Sequence, residues 1–150
     1  MMTAHDISGV SYADAFVDTN VFVYAQDASA PRKRAQALEL LKKLSLEGRL
    51  VISTQVLQEF ACVAVRKLKL SLPATNALLD ELAKLPVCTI DIVVIKDAVT
   101  IHFANKLSFF DSLIIATAAR HGCSYVYSED MADGQTIRGV TIINPFRTVP

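Results

Sequence analysis

Short apolar segments alternate with longer amphipathic segments along almost the whole chain, and this alternation restricts its fold more than any other feature. The short segments cover residues 15–17, 50–53, 87–90, 124–127 and 140–143. Such short apolar runs are typical of strands that are buried on both faces of a parallel sheet. Because strands that alternate with helices form βαβ units, the pattern predicts an α/β fold. We expect a three-layer α/β/α sandwich around a parallel sheet of about five strands.

The longer segments have the pattern of helices. They cover residues 19–26, 31–48, 54–69, 73–85, 92–104 and 108–122. Ala35, Leu38 and Leu41 illustrate the helical spacing of apolar side chains,. Pro31 suits the first turn of a helix, where no amide hydrogen is needed, and Gly48 suits a helix end. We therefore predict six helices.

Length and composition indicate one domain with a full hydrophobic core. The chain has 150 residues, of which 52% are hydrophobic, and domains most often contain about 100–150 residues. Residues 1–13 are small and polar, so we expect a loose leader before a single domain over residues 14–150. No apolar run approaches the roughly 18 residues of a membrane span, and the start lacks a signal-peptide pattern. These features predict a cytoplasmic protein without a membrane partner.

Cysteine usage and net charge narrow the possible functions further. Cys62, Cys88 and Cys123 are odd in number, widely spaced and set among apolar neighbours, so we expect reduced cysteines in the core. The 15 acidic residues balance 15 lysines and arginines. A net charge of zero gives no support for nucleic-acid binding by bulk electrostatics. Local basic patches stay compatible with this balance.

Four acidic residues fall where an α/β sheet binds its ligands, beyond the carboxyl ends of the strands. Asp18 follows the first predicted strand, and Asp130 follows the fourth. Glu59 and Asp111 lie on helices that leave the same side of the sheet. Four carboxylates at one point repel one another unless a cation lies between them. Because the set contains neither histidine nor cysteine, it favours Mg²⁺ or Mn²⁺ over zinc.

Each of these acids also has a purely structural interpretation. Asp18 suits the N-cap of the helix that follows it. Glu59 fits the solvated edge of its helix and Asp130 a surface loop, where acids are common. Ser108 and Asp111 form an S-x-x-D capping box before an apolar run,. The metal site is therefore a hypothesis that depends on whether the four side chains converge.

Several segments together resemble the PIN domain family, most closely its VapC-type toxin ribonucleases from toxin–antitoxin pairs. The segments are FVDTNVFVYA, STQVLQEF, LSFFDSLIIATA, YSEDMADGQ and the closing TIINPF. They follow one another in the family's order from about Ala15 to Phe146. The resemblance implies a parallel sheet flanked by helices and a Mg²⁺- or Mn²⁺-dependent endoribonuclease that leaves a 5′-phosphate and a 3′-hydroxyl. It also implies an RNA substrate, a cognate antitoxin protein and a homodimer.

The resemblance further implies a role for each residue of the acidic set. The catalytic and metal-binding acids that it indicates are Asp18, Glu59, Asp111 and Asp130. Asp18 and Asp111 are expected to contact the ion directly, and the other two directly or through water. The supporting positions around them are Thr19, Asn20 and Ser128. Glu129 is the alternative to Asp130, which is preferred because Ser128 fills the small hydroxyl position two residues before it.

Two basic runs are candidates for contacts with RNA phosphates. They contain Arg32, Lys33 and Arg34 in the second helix, and Arg66 and Lys67 near the end of the third. Phosphate contacts from lysine and arginine supply much of the affinity of proteins for nucleic acid. The structural alternative is a solvated helix face for the first run and a cation-attracting helix C-terminus for the second.

Two other classes of function stay open. A non-catalytic module of the same fold would hold RNA or an antitoxin peptide without cutting it, although the four filled acidic positions argue against an inactive site. An aspartate-based phosphotransferase also places an aspartate after its first strand. The haloacid dehalogenase type requires a second aspartate where Asn20 stands, and a receiver domain requires a lysine after YVYSED, where none follows.

Overall fold

The computed structural model describes residues 4–5 and 11–147, and a six-stranded sheet forms their centre. The strands are β1 (Ala4–His5), β2 (Ser11–Tyr12), β3 (Ala15–Val17), β4 (Leu50–Ser53), β5 (Val87–Cys88), β6 (Tyr125–Tyr127), β7 (Thr136–Ile137) and β8 (Val140–Ile143). The central sheet has the order β5-β4-β3-β6-β8-β7. All neighbours in it are parallel except β8 and β7. The predicted parallel sheet of about five strands is confirmed, with one antiparallel strand added at an edge.

The added strand β7 belongs to a tight hairpin that the apolar pattern does not indicate. It joins β8 through Arg138 and Gly139, which both have positive φ, 53° and 79°. A two-residue loop with two positive φ angles is a type I′ turn, whose twist matches that of the flanking strands. Asn-Gly or Asp-Gly is the usual signal for this turn, so the Arg-Gly pair conceals the hairpin.

All six predicted helical segments form helices. They are α1 (Thr19–Ala25), α2 (Pro31–Leu46), α3 (Thr54–Arg66), α4 (Leu72–Leu82), α5 (Ile92–Asn105) and α6 (Phe109–Arg120). Gly48 has a φ of 66° just beyond α2 and Gly122 a φ of 72° just beyond α6, as expected of glycine after a helix end. In the described part of the chain, no helix has the length and apolar character needed to cross a membrane.

The end of α3 lies earlier than predicted, at Arg66 instead of Lys69. Lys69 has a left-handed backbone with a φ of 53°, which stops the helical path. The amide of Leu70 then donates to the backbone oxygen of Ala64 at 3.0 Å. The three residues after Arg66 therefore form the turn out of the helix, and not its last turn.

The strand β5 is shorter than the predicted segment 87–90. Its partner β4 ends at Ser53, which pairs with Cys88, and α3 begins at the next residue. Thr89 and Ile90 therefore have no strand beside them. The amide of Ile90 donates instead to the hydroxyl of Thr54 at 3.4 Å, so the start of α3 replaces the missing strand partner.

The path of the chain through the sheet places the helices in two layers. From β3 the chain moves outward to β4 and β5 through α1 to α4, and it then returns past β3 to β6 through α5 and α6. Crossovers between parallel strands are right-handed, so this reversal puts α5 and α6 on the opposite face from the other helices. Packing agrees, because α1 contacts α2 and α3, α3 contacts α4, and α5 contacts α6. The three-layer sandwich is confirmed.

The sheet and α6 form the centre of the core. Every residue of β3 and β4 is buried, and so are residues 112–118 of α6. Buried hydroxyls need hydrogen-bond partners. Ser112 and Thr117 find theirs inside the helix, where they donate to the backbone oxygens of Ser108 and Leu113 at 2.8 and 2.7 Å. As a result, α6 is a firmly packed support for the residues of its first turn.

The cysteines are free thiols, as predicted, but only two of the three lie in the core. Cys88 and Cys123 are buried, whereas Cys62 is exposed, so the expectation for Cys62 is wrong. The buried face of α3 contains Val56 and Phe60. Cys62 lies two residues beyond Phe60 and is therefore rotated by about 200° around the helix. That rotation turns it towards solvent.

The predicted leader, residues 1–13, lies largely outside the described residues. Of its described part, β1 pairs with β2 in an antiparallel arrangement, with Ala4 opposite Tyr12 and His5 opposite Ser11. Asp14 is already buried, and its backbone oxygen accepts a hydrogen bond from the amide of Ser124 at 3.0 Å. A single domain over residues 14–150 stays a prediction.

Candidate active site

A cleft opens where the order of the strands reverses, at the carboxyl ends of β3 and β6. Asp18 follows β3 directly, and its amide donates to the backbone oxygen of Tyr127, the last residue of β6, at 3.0 Å. Ligands of open α/β sheets bind at such a reversal point. The cleft has a volume of about 340 Å³, and the acidic residues that line it are Asp18, Glu59, Asp111, Glu129 and Asp130. All four predicted acids therefore lie in one cleft.

Asp18 is an enclosed acid of this cleft, with 4% of its surface exposed. Its Oδ1 accepts from the amide of Thr19 at 2.7 Å, so it caps α1 as the structural interpretation proposed. Its Oδ2 accepts from the hydroxyl of Ser128 at 2.8 Å. Burial raises the pKa of Asp18 to about 6, against the effect of these hydrogen bonds and with a further rise from Glu59 and Asp111,. Asp18 therefore both caps α1 and lies in the cleft with the other predicted acids.

Glu59 faces the cleft and is held at both oxygens. Oε2 accepts from the hydroxyl of Thr19 at 3.2 Å, and Oε1 accepts from Nε2 of Gln55 at 2.7 Å. Gln55 also donates to the backbone oxygen of Phe110 at 3.2 Å. A glutamate with two fixed partners does not behave as a free surface acid, so the solvated-edge interpretation of Glu59 does not hold.

Asp111 lies in the first turn of α6, where Ser108 provides the helix cap. The hydroxyl of Ser108 accepts from the amide of Asp111 at 3.1 Å, so the first half of the predicted capping box is present. Burial raises the pKa of Asp111, the Ser108 hydroxyl lowers it, and Asp130 raises it further. The effect of Asp130 means that the two carboxylates repel each other electrostatically across the cleft.

Asp130 and Glu129, the two alternatives for the fourth acid, have different partners. Oδ2 of Asp130 accepts from Nδ2 of Asn20 at 3.2 Å, and its amide donates to the Ser128 hydroxyl at 3.3 Å. That hydroxyl also donates to Asp18, so Ser128 links both acids. Glu129 instead forms an ion pair with Lys33. Asp130 is therefore connected to the other predicted site residues, and Glu129 is connected to α2.

The donor set fits a hydrated magnesium or manganese ion. Within residues 4–5 and 11–147, no three histidine, cysteine or acidic side chains stand close enough together to enclose an ion by themselves. Mg²⁺ needs only one or two carboxylates, because it keeps several of its waters. Two buried oxygens of cleft-lining residues, Asn20 Oδ1 and Gln55 Oε1, accept no hydrogen bond from the described residues. Water on a cation is a hydrogen-bond donor, so these acceptors match its hydration shell.

The five basic candidates differ in their access to the cleft. Lys67 lines it. Lys33 is engaged with Glu129, also donates to the Tyr24 hydroxyl at 3.3 Å, and lies 4.7 Å from the centre of the Tyr24 ring. Arg34 donates to the backbone oxygen of Ala25 at 3.4 Å. The other two, Arg32 and Arg66, are exposed and do not line the cleft.

Among the polar and aromatic residues that line the cleft, three were not predicted from the sequence: Gln55, Tyr24 and Phe110. Gln55 had a usable signal, because it precedes Glu59 by four residues and side chains at that spacing meet on one helix face. Phe110 had a weaker one, since it is adjacent to Asp111. The pairing of Lys33 with Glu129 joins residues 96 positions apart, and no local pattern reveals it.

Similarity to known proteins agrees with the fold. A family model of the PIN domain matches residues 15–132. A toxin–antitoxin complex from Klebsiella pneumoniae has a TM-score of 0.68 and 20% identity, over 88% of this chain and 98% of that one. VapC20 from Mycobacterium tuberculosis, described as a sarcin–ricin loop cleaving toxin, has a TM-score of 0.61 and 21% identity, over 78% of this chain and 90% of that one. DNA-bound VapBC from Salmonella typhimurium has a TM-score of 0.61 and 20% identity, over 87% of this chain and 97% of that one. No curated protein matches the sequence significantly.

Proposed function

This chain belongs to the PIN domain family, and on that premise we propose that it is a metal-dependent endoribonuclease, the toxin of a VapC-type toxin–antitoxin pair that acts in the cytoplasm. The observation that carries the proposal is the convergence of four acids from separate segments on one cleft at the strand reversal. The similar fold of VapC20, described as a sarcin–ricin loop cleaving toxin, adds support.

We assign the ion to the four acids of the cleft. Asp18 and Asp111 hold Mg²⁺ or Mn²⁺ directly, and Glu59 and Asp130 hold it directly or through water. When bound, such an ion lowers the pKa of a water molecule and neutralises charge on a phosphate group. The chain supplies orientation: Thr19 and Ser128 donate to Asp18, and Asn20 donates to Asp130. Hydrogen bonds of this kind favour the ionised carboxylates that a cation needs.

The RNA is held by local contacts, since the chain has no net charge. Lys67 is the best placed of the basic candidates, because it lines the cleft and lies on the turn that follows α3. Lys33 is already paired with Glu129. Contacts to phosphates position a nucleic acid without reading its sequence. We therefore assign Lys67 to a phosphate near the scissile bond and give Lys33 a structural role at the edge of the cleft.

We further propose that the protein forms a homodimer through α5 and that it binds a cognate antitoxin protein. Ile92, Ile95, Val99 and Phe103 follow one another at spacings of three or four residues along α5, and all are exposed, Phe103 by 83%. A contiguous exposed apolar stripe is typical of an interaction surface. Sedimentation should give a dimer for the wild type, a shift towards monomer for Phe103→Glu, and no shift for Leu46→Glu, whose side chain is exposed on α2. A monomeric wild type contradicts the dimer.

Cleavage of RNA by the purified protein, freed of any antitoxin, tests the proposed function. We expect cleavage in Mg²⁺ or Mn²⁺ that EDTA abolishes. Asp111→Asn, purified in the same way, should lack it, which excludes a contaminating nuclease. Asp80→Asn changes an exposed acid on α4 and should keep full activity.

The same preparation separates the alternatives. Folded wild-type protein that binds RNA but does not cut it, with either metal, supports the non-catalytic module. Trapping of a phosphoaspartate at Asp18 supports the phosphotransferase instead. Either result overturns the proposed nuclease.

A further inference from the structure

Gln55 lies between the two helices that carry Glu59 and Asp111. It is one turn before Glu59 on α3, and only 3% of its surface is exposed. Its Nε2 donates both to Oε1 of Glu59, at 2.7 Å, and to the backbone oxygen of Phe110, at 3.2 Å. Phe110 directly precedes Asp111 in the first turn of α6. One buried amide therefore links the carboxylate of Glu59 to the turn that holds Asp111.

The chemistry of its neighbours determines which way the Gln55 amide points. Both are hydrogen-bond acceptors, a carboxylate and a carbonyl, and neither has a proton to give. The reverse orientation would place Oε1 against two acceptors, so Nε2 must face them. Oε1 is then left buried beside the cleft without a donor among the described residues.

An unpaired buried acceptor is costly to the fold, because it loses its hydrogen bonds to water and gains none in return. An apolar side chain at this helix position would avoid that cost. The cleft that Gln55 lines also contains the carboxylates of the proposed metal site, and a cation there brings water molecules whose hydrogens point away from it. Such a water supplies the donor that Oε1 lacks.

We propose that Gln55 is a positioning residue of the metal site: its nitrogen holds Glu59 in register with α6, and its oxygen accepts a hydrogen bond from a water of the bound ion. This inference rests on the proposed function. With Thr19 on the other oxygen of Glu59, Gln55 removes the rotational freedom of that carboxylate. Groups that orient metal ligands in this way typically contribute about 10–100-fold to metal affinity or activity.

Binding of Mn²⁺ in the absence of RNA, measured from the electron paramagnetic resonance signal of the free ion, tests this role. Gln55→Met keeps the length of the side chain and removes both hydrogen-bonding groups. We expect about 10–100-fold weaker Mn²⁺ binding, and cleavage that recovers in part when Mn²⁺ is raised. Gln58→Met is the matched control, because Gln58 is exposed on the same helix, and it should bind as the wild type does. Circular dichroism verifies folding.

Gln55→Asn, which shortens the side chain but keeps it polar, gives the same expected loss if the methionine variant does not fold. In a Glu59→Gln background the methionine substitution should cost less, because part of its effect passes through Glu59. Folded variants that bind Mn²⁺ as tightly as the wild type overturn this inference alone. A wild type that binds no Mn²⁺ overturns the proposed function as well.

Discussion

Asp18 and Asp130 follow neighbouring parallel strands and reach the same cleft, yet their surroundings are opposite. Asp18 forms the inner wall of the cleft, and both it and Ser128, which donates to it, are almost fully buried. Asp130 lies at the rim, together with Glu129 and its partner Lys33, and is exposed. The difference arises after the strands: α1 begins immediately behind Asp18, whereas β6 continues into a surface bend. The sheet edge therefore selects where an acid lies, and the next element decides how deeply it is buried.

This difference in burial determines whether an acid of the cleft affects stability as well as activity. A buried carboxylate loses its hydration and resists ionisation, so keeping it in the inner wall lowers stability in the absence of a cation. An acid at the rim keeps water on one side and has little effect on stability. Substitutions in the inner wall should therefore change activity and stability in opposite directions, while substitutions at the rim should change activity alone.

The largest effect is expected from Asp18→Asn on RNA cleavage. The substitution removes a negative charge from a proposed direct ligand, so the loss should exceed the roughly 100-fold that a supporting residue can contribute. Initial rates of cleavage in saturating Mg²⁺ measure it. Asp14→Asn is the matched control, since Asp14 is also buried but lies at the other end of β3. Cleavage by Asp18→Asn within tenfold of the wild type would remove Asp18 from the metal site.

The second effect concerns stability, and it has the opposite sign. The pKa of Asp18 rises from 3.8 to about 6 on folding, so the folded state binds a proton more tightly than the unfolded state. Stability from this group is fully present below about pH 4 and is lost as the pH rises through 6. At about 1.4 kcal/mol for each pKa unit, the loss is about 3 kcal/mol. In EDTA at pH 7, Asp18→Asn should therefore be more stable than the wild type by up to this amount.

Urea unfolding of both proteins between pH 4 and pH 8 measures the difference directly. Subtracting the two curves cancels the titration of all groups they share. The amide keeps the cap on Thr19 through its oxygen, and the Ser128 hydroxyl can rotate to accept from its nitrogen. A difference that does not change with pH, or a variant less stable at pH 7, would mean that the capping role of Asp18 outweighs its desolvation.

The inner wall was the more predictable part from sequence, and local rules explain why. Asp18 follows an apolar strand and precedes a helix, so its position and its cap are both encoded within a few residues. The same holds for the segments that become β3, β4 and α6. Short edge elements were not predictable in this way: β7 depends on an Arg-Gly turn, and β5 stops where its partner strand β4 stops.

The partners of site residues were less predictable than the residues themselves. A carboxylate after a strand end has a chemical meaning that one position reveals. Gln55 has meaning only through the Glu59 carboxylate and the Phe110 carbonyl, which belong to two helices. Lys33 is one of several candidates for RNA contact by sequence, and its ion pair with Glu129 depends on how α2 packs beside the bend after β6. The contacts of Gln55 with Phe110 and of Lys33 with Glu129 follow from tertiary packing, so single-sequence patterns do not contain them.

The smallest effects are expected at the rim, where they decide between Asp130 and Glu129. Asp130→Asn should lower cleavage by about tenfold, as for a group that acts partly through water. Glu129→Gln should change the activation free energy of cleavage and the free energy of unfolding by less than about 1 kcal/mol each, because a partly exposed ion pair with Lys33 contributes little. Rates and urea unfolding measured on both variants test this order. A larger loss of cleavage in Glu129→Gln would transfer the fourth acidic role to Glu129. The bound ion would then have to break the salt bridge between Glu129 and Lys33.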